Sequence, residues 1–306
     1  MKELYFNFYW DKIPDSLLPR AVREFVDSGV THLAITEEML HRFIHEPAYL
    51  ALVKQISALQ GVTFGAPHGL AGRPWDLNEP YERKKMLSEH KAALDVCGGE
   101  FGVRTYTVHP GAWWHCIGHL EVDMLRENTI RTLEELLPVA EKNRIIIAVE
   151  NSFEPTNSAK EICAIADHFA GHPWLGLNYD TGHANCMASA PWKVPSGYPD
   201  YQYTSWWQNG IVTEDGALEK MADRVVTCHI HDNDGYRDLH AMPGDGTIDW
   251  DDLMPRLKAC PNMIEYQTEL NFDDGEGWAG ISPAPAGGYS IRRLVDVFRN
   301  KLGFDK

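Results

Sequence analysis

Residues 228–246 read CHIHDNDGYRDLHAMPGDG and hold three histidines, His229, His231 and His240, among four aspartates, Asp232, Asp234, Asp238 and Asp245. Imidazole and carboxylate together suit Zn, Mn or Fe, whereas all-oxygen sets suit Mg or Ca. His229 and His231 are two residues apart, so on an extended chain they face the same side. One can ligate while the other orients it or meets substrate. One segment cannot complete such a site. Partners of the right type occur at His68 in GAPHG, His109 in TVHPG, Glu150 in AVEN, Asp180 and His183 in NYDTGH, and Glu269 in QTEL.

Each of these residues has an ordinary reading. A single histidine after a strand is usually a hydrogen-bonded loop residue, and Glu150 or Asp180 at a strand end can cap a helix or join an ion pair. Asp232, Asp234 and Asp245 read as turn residues. The ordinary readings do not account for the joint pattern, in which six successive strand-like stretches end in a metal-capable side chain. A buried set of Glu150, Asp180, His229 and Glu269 would be electrostatically costly without a cation to compensate its carboxylates.

The elements that must position these groups are legible. Strand-like stretches lie at 3–9, 32–36, 62–67, 102–109, 145–151, 175–180, 225–231 and 264–270, short, rich in β-branched and aromatic residues, and bounded by Gly, Pro or Asn. Between them run amphipathic segments of helical length, among them 14–29, 79–98 and 122–143. The alternation predicts a parallel sheet, and eight such units predict an α/β fold, a closed (β/α)8 TIM barrel, as a single domain over 1–306. A doubly wound open sheet is the alternative, but no GxGxxG follows the first strand. Two long loops, 184–213 and 271–288, follow strand C-terminal ends, the face where barrel active sites lie. Trp113, Trp114, Trp192, Tyr201, Tyr203, Trp206 and Trp207 are candidates for an apolar wall against the C–H faces of a bound small molecule, with core packing or a subunit interface as the alternative; a homo-oligomer stays open.

The bulk properties narrow the classes. The 306 residues carry a formal net charge of −16, which weighs against a nucleic-acid partner and makes divalent cations natural ones. The apolar runs are strand-length, so no membrane span is expected. MKELYFNFYWDK lacks a signal-peptide core, and six cysteines without framework spacing point to reduced thiols and a cytoplasmic protein. Arg73 and Arg237 are the arginines considered for a substrate phosphate.

The series GAPHG, TVHPG, AVEN, NYDTGH, HIHDND, DLHAMPGDG, QTEL resembles the strand-end motifs of the xylose-isomerase-like TIM barrels, in order and across nearly the whole chain. That superfamily includes sugar epimerases, inosose dehydratases, hydroxypyruvate isomerases and the endonuclease IV group. The resemblance implies that Glu150, Asp180, His229 and Glu269 form a four-ligand metal site, that Glu150 and Glu269 also act as the acid–base pair, and that His183 contacts substrate. The HxxD spacing favours His229 as the ligand of the seventh strand, whereas the HxH pattern of some epimerases favours His231, otherwise a substrate contact like Trp113. Against the endonuclease IV group, His68, His109, His183, Asp238 and His240 match additional ligands of a three-zinc cluster, but no basic, DNA-inserting loop is present. The implied activity is a metal-dependent isomerase or epimerase of a small carbohydrate, using one to three divalent ions, Mn or Zn. A keto-polyol lyase, a multinuclear phosphoesterase and a non-catalytic sugar-binding barrel are the alternatives.

Overall fold

The computed structural model describes residues 2–189, 212–270 and 290–304. Each predicted strand contains an observed one, shorter in every case but β6, which has the predicted bounds: β1 (Glu3–Tyr5), β2 (His32–Ala34), β3 (Thr63–Gly65), β4 (Thr105–Val108), β5 (Ile146–Glu150), β6 (Leu175–Asp180), β7 (Val225–Ile230) and β8 (Glu265–Thr268). The shortening has local causes. GVRTYTVH loses its start because Cys97–Phe101 forms a π-helical turn closed by Gly102, whose φ of 61° lies in the left-handed region that suits glycine.

Among the described residues all pairings between these strands are parallel. One sheet runs β1-β8-β7-β6-β5-β4 and a second pairs β2 with β3. Two bridges join them into a ring. Ala34 N donates to Phe6 O at 2.8 Å on one side, and Gly69 N donates to Thr107 O at 2.8 Å on the other. The result is the predicted barrel. Its central strands are buried over almost their whole length, as expected where helices cover the outer face.

The helix Val122–Asn143 has the predicted bounds, and Arg83–Val96 falls inside the predicted 79–98. Leu133, Leu136, Leu137 and Ala140 form the apolar stripe of the first and are buried against the barrel. Each buried leucine there contributes about 1.5–3 kcal/mol. The predicted loop 184–213 opens inside a helix instead, Thr181–Met187. Asp180 is its N-cap, accepting from His183 N at 2.6 Å, which ends β6 and starts the helix in one residue. Trp192, Tyr201, Tyr203, Trp206, Trp207 and the whole of 271–288 lie outside the described residues. Among the described residues no helix is long and apolar enough to cross a membrane.

The two ends of the barrel differ in chemistry. At the strand N-termini, buried Glu265 accepts from Thr105 Oγ1 at 2.5 Å and from Arg104 Nε at 3.1 Å, and Arg104 also reaches Glu3. The strand C-termini carry the histidine-rich motifs.

Candidate metal centre

Four neighbouring strands of the ring deliver the central group. Glu150 and Asp180 are the last residues of β5 and β6, His229 lies in β7 in register with Asp180, and Glu269 follows β8. One donor atom from each lies within 4.8 Å of the others. His229 Nδ1 is 2.9 Å from Glu269 Oε2 and 3.2 Å from Glu150 Oε2. Neither approach has hydrogen-bond geometry. Both ring nitrogens of His229, Glu150 Oε1 and Glu269 Oε2 are buried with no hydrogen-bond partner. A buried polar atom left in this way costs about 1–3 kcal/mol. Donors and acceptors that converge on a common point, rather than on each other, fit a divalent ion, and an imidazole with three carboxylates is a suitable donor set.

Two further groups flank this one. His68, His109 and Glu150 form the first, so Glu150 belongs to two groups at once. His68 Nδ1 donates to Gly69 O at 2.9 Å, which in the neutral ring leaves Nε2 bare, 3.2 Å from His109 Nε2. His109 Nε2 in turn lies 3.4 Å from Glu150 Oε2. The second group is His183, His231, Asp238 and His240. Asp238 Oδ2 is 3.0 Å from His240 Nε2 and 3.4 Å from His183 Nε2. His240 is held at φ 47°, an uncommon conformation for a side chain of its size, with Nδ1 donating to Glu269 O at 2.8 Å.

The histidines of β7 divide their work. His229 joins the central carboxylates. His231 has its Nε2 at 3.0 Å from both oxygens of Asp180 and its ring stacked on His240 at 4.0 Å, so it grips a central carboxylate from the side of the third group. The glycine of DTGH makes room for it, since a Cβ on Gly182 would sit 2.0 Å from the His231 ring.

The charges are strongly coupled. Burial would raise Glu150 and Glu269, but the His229 imidazolium, joined at Glu150 by His109, holds both carboxyls below their usual range. Burial would lower His229 and His183, yet their carboxylate neighbours hold both well above the ordinary histidine value. His240 is pushed up to about 9 against burial, chiefly by Asp238. His109 is lowered, because burial outweighs the help of Glu150. Protons on His229, His183 and His240 thus provide the positive charge that an ion would otherwise bring, and binding an ion must release them.

Around the groups lie supports that the motifs alone do not reveal. Asn178 Nδ2 donates to Glu150 Oε2 at 3.0 Å, and Asn151 Oδ1 accepts from Asp180 N at 2.9 Å while its backbone oxygen accepts from His183 Nδ1 at 2.9 Å. Asn178 stands two residues before Asp180 on one strand, so the period-two rule would have found it. Asp232 is more than a turn residue. Its buried carboxylate accepts from Gly244 N and Trp250 Nε1, both at 2.8 Å, and fixes the loop that presents Asp238 and His240. Asp234 accepts from Tyr236 N and Arg237 N, and Asp245 pairs with Arg293. Both arginines considered for a phosphate are engaged elsewhere: Arg237 on Asp234, and Arg73 over the rings of Trp113 and Trp114.

A cavity of about 180 Å³ opens beside the groups, with Tyr9, Glu37, Glu38, His68, His240 and Glu269 in its wall. Glu37 carries no motif signal, because the acidic first turn in TEEML passes for ordinary helix-dipole compensation. Trp113 does not line this cavity. It sits in the short helix Trp113–Cys116, with Arg73 over its ring.

Comparison with known proteins agrees with this architecture. The family model described as xylose isomerase-like TIM barrel matches residues 22–275. An uncharacterised protein of Sinorhizobium fredii is 43% identical over 153 residues, 49% of this chain and 40% of that protein. An uncharacterised protein of Methanocaldococcus jannaschii is 26% identical over 186 residues, 58% of this chain and 54% of that protein. The chain thus spans about half the length of the curated relatives it matches. Among solved structures, D-psicose 3-epimerase superposes with a TM-score of 0.67 at 13% identity, covering 99% of this chain and 100% of that one. The 3-keto-D-glucoside 4-epimerase of E. coli gives 0.64 at 14% identity, covering 98% and 99%. A xylose isomerase-like protein of Mycobacterium smegmatis, solved with magnesium, gives 0.63 at 12% identity, covering 99% and 97%.

Proposed function

The chain belongs to the xylose isomerase-like TIM barrel family, and from that premise we propose that it is a metal-dependent isomerase or epimerase of a small carbohydrate, built as one domain over 1–306. The observation that carries the reading is the central group, where unpartnered atoms of Glu150, His229 and Glu269 meet beside Asp180. Glu150, Asp180, His229 and Glu269 would hold the ion, with Mn or Zn the best match to an imidazole and three carboxylates. When bound, a divalent ion there polarises a carbonyl and its neighbouring hydroxyl and so acidifies the carbon-bound proton. Glu150 and Glu269 are the proton carriers. Both are ionised in their present surroundings, and each has an oxygen with no hydrogen-bond partner. One takes the proton, and the other returns it to the opposite face or the adjacent carbon. Asn178 keeps the Glu150 carboxylate oriented, and His231 does the same for Asp180. The sugar-epimerase neighbours support a carbohydrate substrate.

The test is exchange of carbon-bound hydrogen on a panel of ketoses in D2O, with Glu150→Gln and Glu269→Gln as variants. Loss of exchange in both supports the pair, and unchanged exchange in both removes it. Loss of water from the substrate during the same assay would move the assignment to a keto-polyol lyase.

A second reading, a multinuclear phosphoesterase, is favoured by one observation: Glu150 is shared between two donor groups, with the His183, His231, Asp238 and His240 group adjoining through Asp180. Clustered ions would supply an activated hydroxide there. Hydrolysis of phosphodiesters by protein carrying about three ions per chain would put this reading first.

A further inference from the structure

The carbohydrate reading leaves the charge of the substrate open, and the wall of the mouth cavity bears on it. Thr36 caps the helix Glu37–His45 as the chain leaves β2, and the first turn then points two carboxylates, Glu37 and Glu38, at the same cavity as Glu269. Glu37 is half-buried, and burial raises its carboxyl above the usual range against the pull of His68 and the backbone N–H of Ala71, whereas Glu38 is exposed and lies at the same opening. Among the described residues no lysine or arginine lines the cavity; its imidazoles are His68 and His240, and the His240 proton is one that ion binding releases. Arg237 and Arg73 are tied to Asp234 and to the Trp113 and Trp114 rings. A volume near 180 Å³ has room for a small polyol. An anion entering beside Glu37 and Glu38 meets like charge in a partly desolvated space, where repulsion exceeds its value in bulk water. Hydroxyl groups meet acceptors instead.

We propose that this mouth selects an uncharged polyhydroxy carbonyl compound and rejects its phosphorylated or carboxylated counterparts, with Glu37 and Glu38 as the residues that set the preference. The substrate class rests on the carbohydrate reading of the metal centre, whereas the charge rule rests on the two glutamates.

The experiment uses matched pairs on the Mn2+-loaded protein: a ketohexose and its 6-phosphate in the D2O exchange assay, and sorbitol and sorbitol 6-phosphate by calorimetric titration. The wild type is expected to favour the uncharged member by about tenfold or more in kcat/KM and in Kd. Glu37→Gln and Glu38→Gln are each expected to narrow that ratio by about threefold, more at low ionic strength than at high. Exposed Glu38 makes the second variant safe for folding. Equal or better use of the phosphate by wild type overturns the proposal, as does an unchanged ratio in both variants. If no ketose exchanges, the isomerase reading falls by itself, and the sorbitol pair still decides the charge rule. Preference for sorbitol upholds it; preference for the phosphate, or no binding of either, ends it.

Discussion

Strand β8 and the residue that follows it carry a glutamate at each end of the barrel, and the two are held in opposite ways. At the floor, both oxygens of Glu265 have partners, Thr105 on one and Arg104 on the other. Burial raises its pKa, and those partners moderate the rise. At the mouth, Glu269 Oε2 lies beside a histidine with which it makes no hydrogen bond, and it shares that condition with Glu150 Oε1 and both His229 nitrogens. The floor also has the larger cavity, about 770 Å³ against about 180 Å³ at the mouth. Cavity size therefore does not mark the working end. What distinguishes the mouth is that its buried charges are arranged around a point instead of being paired off, a costly arrangement that an ion relieves.

Substitution at the two ends should separate these roles. Glu150→Gln removes a donor common to two groups and one of the proposed proton carriers, so hydrogen exchange should fall by about 10³-fold or more with the fold intact by circular dichroism. Glu265→Gln should do the reverse, costing about 1–3 kcal/mol in denaturant unfolding while kcat/KM of the folded fraction stays close to wild type. If the floor variant lost exchange as completely as the mouth variant at unchanged stability, the comparison would collapse.

His231 sharpens the same contrast, because it acts through Asp180. His231→Ala should weaken ion affinity by about 10–100-fold in a competition titration with a chelating dye, and His231→Asn should recover part of the loss through its amide donor. An affinity unchanged in both variants would leave His231 with a packing role only.

Much of this is legible in the amino-acid sequence itself. The apolar stretches end in ionisable residues at one end of six successive strands, and Glu150, Asp180, His229 and Glu269 do come together. Spacing cannot divide His229 from His231, because two residues of the same type on one side of a strand differ only in which atoms they meet. Asp232 looks like a turn residue because its partners, Gly244 and Trp250, are 12 and 18 positions away. Glu37 is hidden for a different reason, since an acidic residue in a first helical turn already has a sufficient local explanation. The aromatic wall expected from 190–211 falls outside the described residues, and Trp113 stands apart from the cavity.

Protonation offers a subtler probe of the mouth. His240 is raised to about 9 in the ion-free protein. A folded-state value above the unfolded value near 6.5 gives stability that is complete below about pH 6.5 and is lost as pH rises towards 9. His183 and His229, also raised, act in the same direction. Ion-free protein should therefore lose about 1–3 kcal/mol of unfolding free energy between pH 6.5 and 9, and ion-loaded protein should show little of that decline. A flat profile for the ion-free form would contradict the proton-for-metal exchange. The smallest effect expected is structural: Asp249→Ala removes the cap of the helix Trp250–Lys258, which accepts from Asp251 N and Asp252 N, and should cost about 1 kcal/mol without altering exchange.

Elemental analysis of protein purified without added metal tests the central claim most directly, applied to wild type, Glu150→Gln and Glu265→Gln side by side. At least one divalent transition ion per chain is expected in wild type and in the floor variant, and a clear loss in the mouth variant. Wild-type protein free of such ions, or a Glu150→Gln protein that retains its full complement, would contradict the metal centre.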